Sequence, residues 1–129
     1  MMERVLYDSG ALIAMDRRNN DLSLRRHHKR ISQGTHVVVP APVAAQVIRD
    51  PARQAQLMLT LRSCDIVPFE REHAGPVGKL LALSGTSDVV DGFVAFTAAE
   101  MGATVVTSDT QDIKRLLHVM GIRLPLLTP

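Results

Sequence analysis

An α/β fold, a parallel sheet with helices on both faces, is predicted by three features of this sequence. Short apolar β-like runs alternate with helical runs along the whole chain, the pattern of repeated strand–helix–strand crossovers. The first of these runs, residues 4–7, ends on Asp8, and the fourth, residues 103–106, is closely followed by Asp109. No internal repeat, low-complexity tract or linker interrupts the pattern, so the 129 residues read as one domain, 1–129.

The elements follow in order. Residues 4–7 predict a buried strand closed by Asp8-Ser9-Gly10, after which Ala11, Leu12, Ile13, Ala14 and Met15 start a helix. Residues 21–34 predict a polar helix, the most basic of the chain, in which Arg25/Lys29 and Arg26/Arg30 share a face at i,i+4 spacing. That face is either simply solvated or turned towards phosphate. Residues 35–39 predict a second strand, closed by Pro40-Ala41-Pro42. Helices are expected over 43–50, with proline in the first turn, and over 51–62, where Leu57, Met58 and Leu61 recur at helical spacing. That stripe is core, with any excess left for a dimer or partner surface.

Residues 65–69 read as a third strand and 70–83 as a helix that Gly75-Pro76 should bend or break. After the turn Gly85-Thr86-Ser87, with Thr86 or Ser87 as N-cap, comes a helix that is apolar almost all round. It carries Val89, Val90, Phe93, Val94, Phe96 and Ala98 and is closed by Gly102. Residues 103–106 form a fourth strand and 110–120 a helix ending at Gly121. Residues 122–127 form a fifth, edge strand interrupted by Pro125.

Composition narrows the function classes. Hydrophobic residues are 46% and charged residues 22%, the balance of a folded soluble chain rather than a disordered one. Aromatics are 3% with no Trp, so the core must be aliphatic and base stacking on an aromatic platform is disfavoured. Nucleic-acid binding would have to be led by charge, and the formal net charge of +2 permits an anionic partner. Cys64, the single cysteine, can form neither an internal disulfide nor a thiolate metal site, which fits a reducing, cytoplasmic setting. No apolar run approaches the roughly 18 residues of a membrane span, and no signal-like start is present, so a soluble, unprocessed protein with no membrane partner is expected.

The chemistry lies in the acids. Asp8 and Asp109 fall at the C-terminal edge of a parallel sheet, where open α/β sheets bind ligands, and they meet if strands one and four are neighbours. Asp88 and Asp91, three apart, lie on one face near the positive end of the helix that enters strand four. Asp112 opens the last helix. Carboxylates with no His or Cys among them suit hard cations such as Mg²⁺, and Mn²⁺ takes the same oxygens. A cation held there supports in-line displacement at phosphorus. Plainer roles are open for each acid: an N-cap for Asp88, a first-turn acid for Asp112, turn caps for Asp8 and Asp109. Asp91, inside an apolar helix, has the least room for an idle role.

Four pieces, YDSGALIA around Asp8, VVVPAPVAAQV around residue 46, TSDVVDGFVAFTA around Asp91 and VVTSDTQDI around Asp109, together resemble the PIN-domain family. Within it they are most similar to the toxin ribonucleases of VapBC toxin–antitoxin systems. The match spans nearly the whole chain in the right order. The resemblance implies a three-layer α/β/α sandwich with a five-stranded parallel sheet, Mg²⁺ or Mn²⁺ dependence, cleavage of RNA, a homodimer and a cognate VapB-type antitoxin. It implies that Asp8, Asp91 and Asp109 are the catalytic metal ligands and that Asp112 is a further acid, with Asp88 reaching the metal or only flanking it. Thr107 and Ser108 match hydroxyl residues that position ligands or water. Where the family usually carries Glu, this chain has Gln46, which keeps an oxygen but loses a charge and general-base capacity. Metal affinity should fall accordingly.

Two functions compete. One is the metal-dependent toxin endoribonuclease, with Arg17, Arg18, Arg25 and Arg26 holding the RNA backbone. The other is a PIN-fold binding or regulatory module that has lost catalysis, marked by Gln46. An aspartyl-phosphate protein ranks last, because it expects a Lys after a later strand, whereas Lys79 and Lys114 fall within helices.

Overall fold

The computed structural model describes residues 2–17 and 21–129, so the RNA contact expected at Arg18 lies outside the described residues. Five strands form one sheet: β1 (Arg4–Tyr7), β2 (His36–Pro40), β3 (Asp65–Val67), β4 (Thr104–Val106) and β5 (Leu126–Leu127). Their order is β3-β2-β1-β4-β5, and every pairing is parallel. The helices are α1 (Ser9–Asp16), α2 (Asp21–Ser32), α3 (Ala41–Val47), α4 (Ala55–Arg62), α5 (Arg71–Ser84), α6 (Val89–Met101) and α7 (Thr110–Val119). Helices α1 to α4 pack among themselves, as do α5 to α7, and the sheet lies between the two groups. This is the three-layer α/β/α sandwich with five parallel strands that was expected.

The layering follows from crossover handedness. The chain steps from β1 out to β3, then returns to place β4 on the other side of β1. Right-handed crossovers in opposite directions put their helices on opposite faces. The central strands are therefore covered on both sides and read as unbroken apolar runs. Val5, Leu6 and Tyr7 of β1 and Val37, Val38 and Val39 of β2 are at most 2% exposed. The reversal leaves the switch point between β1 and β4, and the ladder runs on past Tyr7, where the Asp8 N–H donates to the Val106 carbonyl at 3.0 Å.

Several boundaries differ from expectation, each for a local reason. β3 stops at Val67 instead of reaching residue 69, because Pro68 has no N–H for the ladder. β5 is confined to Leu126–Leu127 rather than 122–127, although the Pro125 carbonyl still accepts from the Val105 N–H. α3 ends at Val47, three residues early, where Ile48 turns extended. Residues 51–62 split into a one-turn 3₁₀ helix, Pro51–Arg53, and α4. Gln54 sits at the break and explains it. Its Oε1 accepts from the Arg49 and Asp50 N–H groups, and its Nε2 donates to Asp16 Oδ2 and the Val47 carbonyl.

Pro76 does not break α5, which runs through it from Arg71 to Ser84. A proline there forfeits one helical bond. A capping box offsets this, with the Glu70 N–H donating to His73 Nδ1 at 2.8 Å, and Val77, Leu80 and Leu81 bury the helix's inner face. Gly92 of α6 permits the close approach of α5: a Cβ there would lie 2.8 Å from Leu81 Cδ2.

One buried polar chain ties β1, α2 and α4 together. His27, 1% exposed, joins the Tyr7 hydroxyl (2.8 Å) and Ser63 Oγ (2.7 Å). Ser63 donates its proton to the Thr60 carbonyl, so it must accept from His27 Nε2–H, leaving Nδ1 to accept from Tyr7. Burial pushes the imidazole down to about 4, and it stays neutral. Cys64 is half-buried, and burial pushes its thiol up to about 11, which makes it an unreactive thiol at neutral pH. Among the described residues no single helix is long and apolar enough to cross a membrane.

Candidate functional site

Strand β1 delivers Asp8 into the interior, where it is 1% exposed. Asp8 is also the N-cap of α1: its Oδ1 accepts from the Ser9 N–H at 2.7 Å. Its other oxygen accepts from the Thr107 hydroxyl at 2.8 Å, and that same hydroxyl oxygen accepts from the Asp109 N–H at 2.9 Å. Thr107, fully buried just after β4, thus fixes two acids from two strands with one oxygen. Burial pushes the Asp8 carboxyl up, and the hydrogen bonds from Ser9 and Thr107 oppose that shift.

Asp91 arrives from the first turn of α6. Loss of solvent pushes its carboxyl up to about 7, reinforced by the charges of Asp88, Asp8, Asp109 and Asp112. One oxygen each from Asp8, Asp91 and Asp109 lie within 4.8 Å of one another. Like charges brought this close raise one another's pKa, and a cation among them reverses the sign of the interaction. Three carboxylates with no nitrogen or sulfur donor in the group fit a hard, oxygen-preferring divalent cation. The strand adjacency on which the meeting of Asp8 and Asp109 depended is present.

Asp88 and Asp112 stand one step back. Asp88 is the N-cap of α6, accepting from the Asp91 N–H at 3.0 Å, so the cap is neither Thr86 nor Ser87. The reason is spacing: Thr86 Oγ1 instead accepts from the Asp88 N–H, at 3.4 Å, and so supports the cap residue. Asp88, Asp91 and Asp112 share a cavity of about 120 Å³ with Thr86, Leu116 and Arg115. Arg115 was missed in the sequence. Its signal was the spacing Asp112/Arg115, three apart on one helix face.

The remaining expected residues stand outside the group of three acids. Gln46 is exposed on α3, and Arg17 lies at the far end of α1, about 12 Å of helix from Asp8. Arg25 and Arg26 are exposed on α2, and neither lines the acidic cavity. Ser108 packs on Gly10, where an added Cβ would overlap its side chain. Gly10→Ala should therefore displace the 107–109 turn and lower stability by about 1–3 kcal/mol, as overpacking does. Thermal melts of the purified variant check this.

The sequence matches the PIN domain over residues 5–117. No curated protein matches it by sequence. Among solved structures, the chain is similar to VapBC2 from Rickettsia felis, bound to a DNA fragment from its promoter. There the TM-score is 0.74 at 17% identity, covering 98% of each chain. It is also similar to FitAB bound to the IR36 DNA fragment, with TM-score 0.70, 16% identity and coverage of 97% and 94%. For PAE2754 from Pyrobaculum aerophilum the values are 0.64, 16%, 94% and 99%. At these identities the likeness is one of fold.

Proposed function

Because this chain belongs to the PIN domain family, we propose that it is a metal-dependent endoribonuclease, the toxin of a VapBC-type toxin–antitoxin pair. The observation that carries this reading is the convergence of Asp8, Asp91 and Asp109 at the β1/β4 switch point, with ligand oxygens within 4.8 Å. These three would hold Mg²⁺ or Mn²⁺, which when bound supplies Lewis acidity for displacement at phosphorus. Thr107 sets the orientation of Asp8 and the backbone of Asp109. Asp88 fixes the first turn of α6 and with it the position of Asp91. Asp112 adds negative charge to the cavity wall.

The wider reading is a single PIN domain over 1–129 that acts in the cytoplasm as a homodimer on RNA and is neutralised by a VapB-type antitoxin. The names VapBC2 and FitAB, both of DNA-bound assemblies, support an antitoxin partner. Induced expression provides the test. Wild type should arrest growth and yield protein that cuts total RNA in Mn²⁺ but not in chelator; if it does neither, the toxin reading is wrong.

Gln46 supports a second reading, a PIN-fold binding module with weakened catalysis. It stands exposed on α3 where the family usually places a carboxylate. Gln46→Glu restores the missing charge and should tighten Mn²⁺ binding and raise cleavage by about tenfold, the scale of one added ligand-sphere interaction. Isothermal titration with Mn²⁺ and a cleavage time course measure the two effects. If wild type binds no Mn²⁺ at all, the module reading prevails.

A further inference from the structure

The geometry points to a cationic track along α7 that binds the phosphates of single-stranded RNA beside the carboxylates, an inference resting on the ribonuclease reading above. Arg115 lines the cavity that holds Asp88, Asp91 and Asp112, and it also lines a second cavity of about 310 Å³ with Gln111, Lys114 and His118. Lys114 and His118 in turn line a third, of about 580 Å³, that reaches Arg123 ahead of β5. Three cavities with shared walls thus lead from the acids along one side of α7. Gln111, Lys114, Arg115 and His118 lie three or four apart and so share a helix face, opposite Ile113, Leu116 and Leu117, which are buried in the core.

The charge on this path has one sign. Beyond Asp112 no acid lines it, and among the described residues no ion pair or hydrogen bond holds the side chain of Lys114, Arg115 or Arg123. Arg115 lies only three residues from Asp112 and still forms no ion pair with it. Five carboxylates repel an approaching phosphodiester, so a polyanion needs cations beside them to be held in place. Arg115 lines the acidic cavity itself, which Arg25 and Arg26 do not, and Lys114 and Arg123 extend the positive charge in one direction. An RNA strand satisfies both ends of this path, phosphate for the track and a scissile bond for the acids.

The test compares Lys114→Gln/Arg115→Gln with Arg25→Gln/Arg26→Gln, each checked for an unchanged melting temperature and unchanged Mn²⁺ binding. Binding of a short fluorescein-labelled single-stranded RNA is followed against salt. The α7 variant should bind about tenfold more weakly, with a salt slope reduced by about 1.4, or about 0.7 for each lost phosphate contact. Its kcat/KM for RNA should fall in parallel, and further than that of the α2 variant. Unchanged affinity and slope in the α7 variant, or a loss confined to the α2 variant, overturns the track and leaves α7 to a protein partner. If wild type binds RNA through α7 yet never cuts it in Mn²⁺, the track stands and the ribonuclease reading falls.

Discussion

Asp91→Asn should abolish RNA cleavage and at the same time make the metal-free protein more stable above neutral pH. The loss of activity comes from removing one of three carboxylates that would hold the cation. An effect of about 4 kcal/mol on the barrier corresponds to about a thousandfold in rate. The gain in stability comes from what the acid costs in the absence of metal. Its carboxyl is pushed up to about 7 by desolvation and four neighbouring acids, whereas the unfolded chain releases that proton near 3.8. A carboxyl raised in this way stabilises the fold fully below the unfolded value. That contribution is lost as pH rises through the folded value, because the folded state must then carry a charge it disfavours. Wild type in chelator should accordingly lose stability between about pH 4 and 8, and Asn at 91 should lose less. Asp91 is only part-buried, so solvent screening cuts the difference at pH 8 to about 1–2 kcal/mol, or about 5 °C in melting temperature. Mn²⁺ should raise the wild-type melting temperature and leave the variant's nearly unchanged. A variant that melts lower than wild type at pH 8 in chelator would show that Asp91 is a structural acid.

That trade-off could be read in outline from residue order. Asp91 opens a helix so apolar that Phe93, Val94, Ala95 and Ala98 are fully buried, and an acid at the head of such a run is conspicuous. The meeting of Asp8 and Asp109 needed only the strand order of a doubly wound sheet, which alternating strands and helices already imply. Other features depend on contacts that no spacing encodes. Gln54 ends one helix and admits the next by bonding to Asp16, 38 residues away. His27 is neutral because it is buried, and Tyr7 of β1 together with Thr60 and Ser63 at the end of α4 dictates its tautomer. The local cost of Pro76 is visible in the sequence, whereas the packing of α5 on α6 that outweighs it is tertiary. The basic residues show the same limit. Charge density in the sequence is highest in α2, and the cation on the wall of the acidic cavity, Arg115, lies instead on α7.

Thr107→Val should damage the site, by less than the loss of Asp91, while removing no acid. Valine has nearly the shape of threonine, so the core around this fully buried position need not move. What disappears is one hydroxyl that donates to Asp8 Oδ2 and accepts from the Asp109 N–H. Each partner left unsatisfied costs about 1–3 kcal/mol, and the loss of orientation at two acids that would hold the metal should lower activity about 10- to 100-fold. The Thr107 hydrogen bond also holds the Asp8 carboxyl down against the upward push of burial, so removing it should raise that carboxyl further. Mn²⁺ must displace the proton, and half-maximal binding in the valine variant should therefore shift to higher pH. Thr107→Ser keeps the hydroxyl and loses only a methyl group, which separates the two contributions. Serine should retain the wild-type pH profile for Mn²⁺ binding with a modest loss of stability, and valine should shift it. Equal shifts in the two variants would mean that packing at Thr107, rather than its hydroxyl, sets the geometry of Asp8 and Asp109.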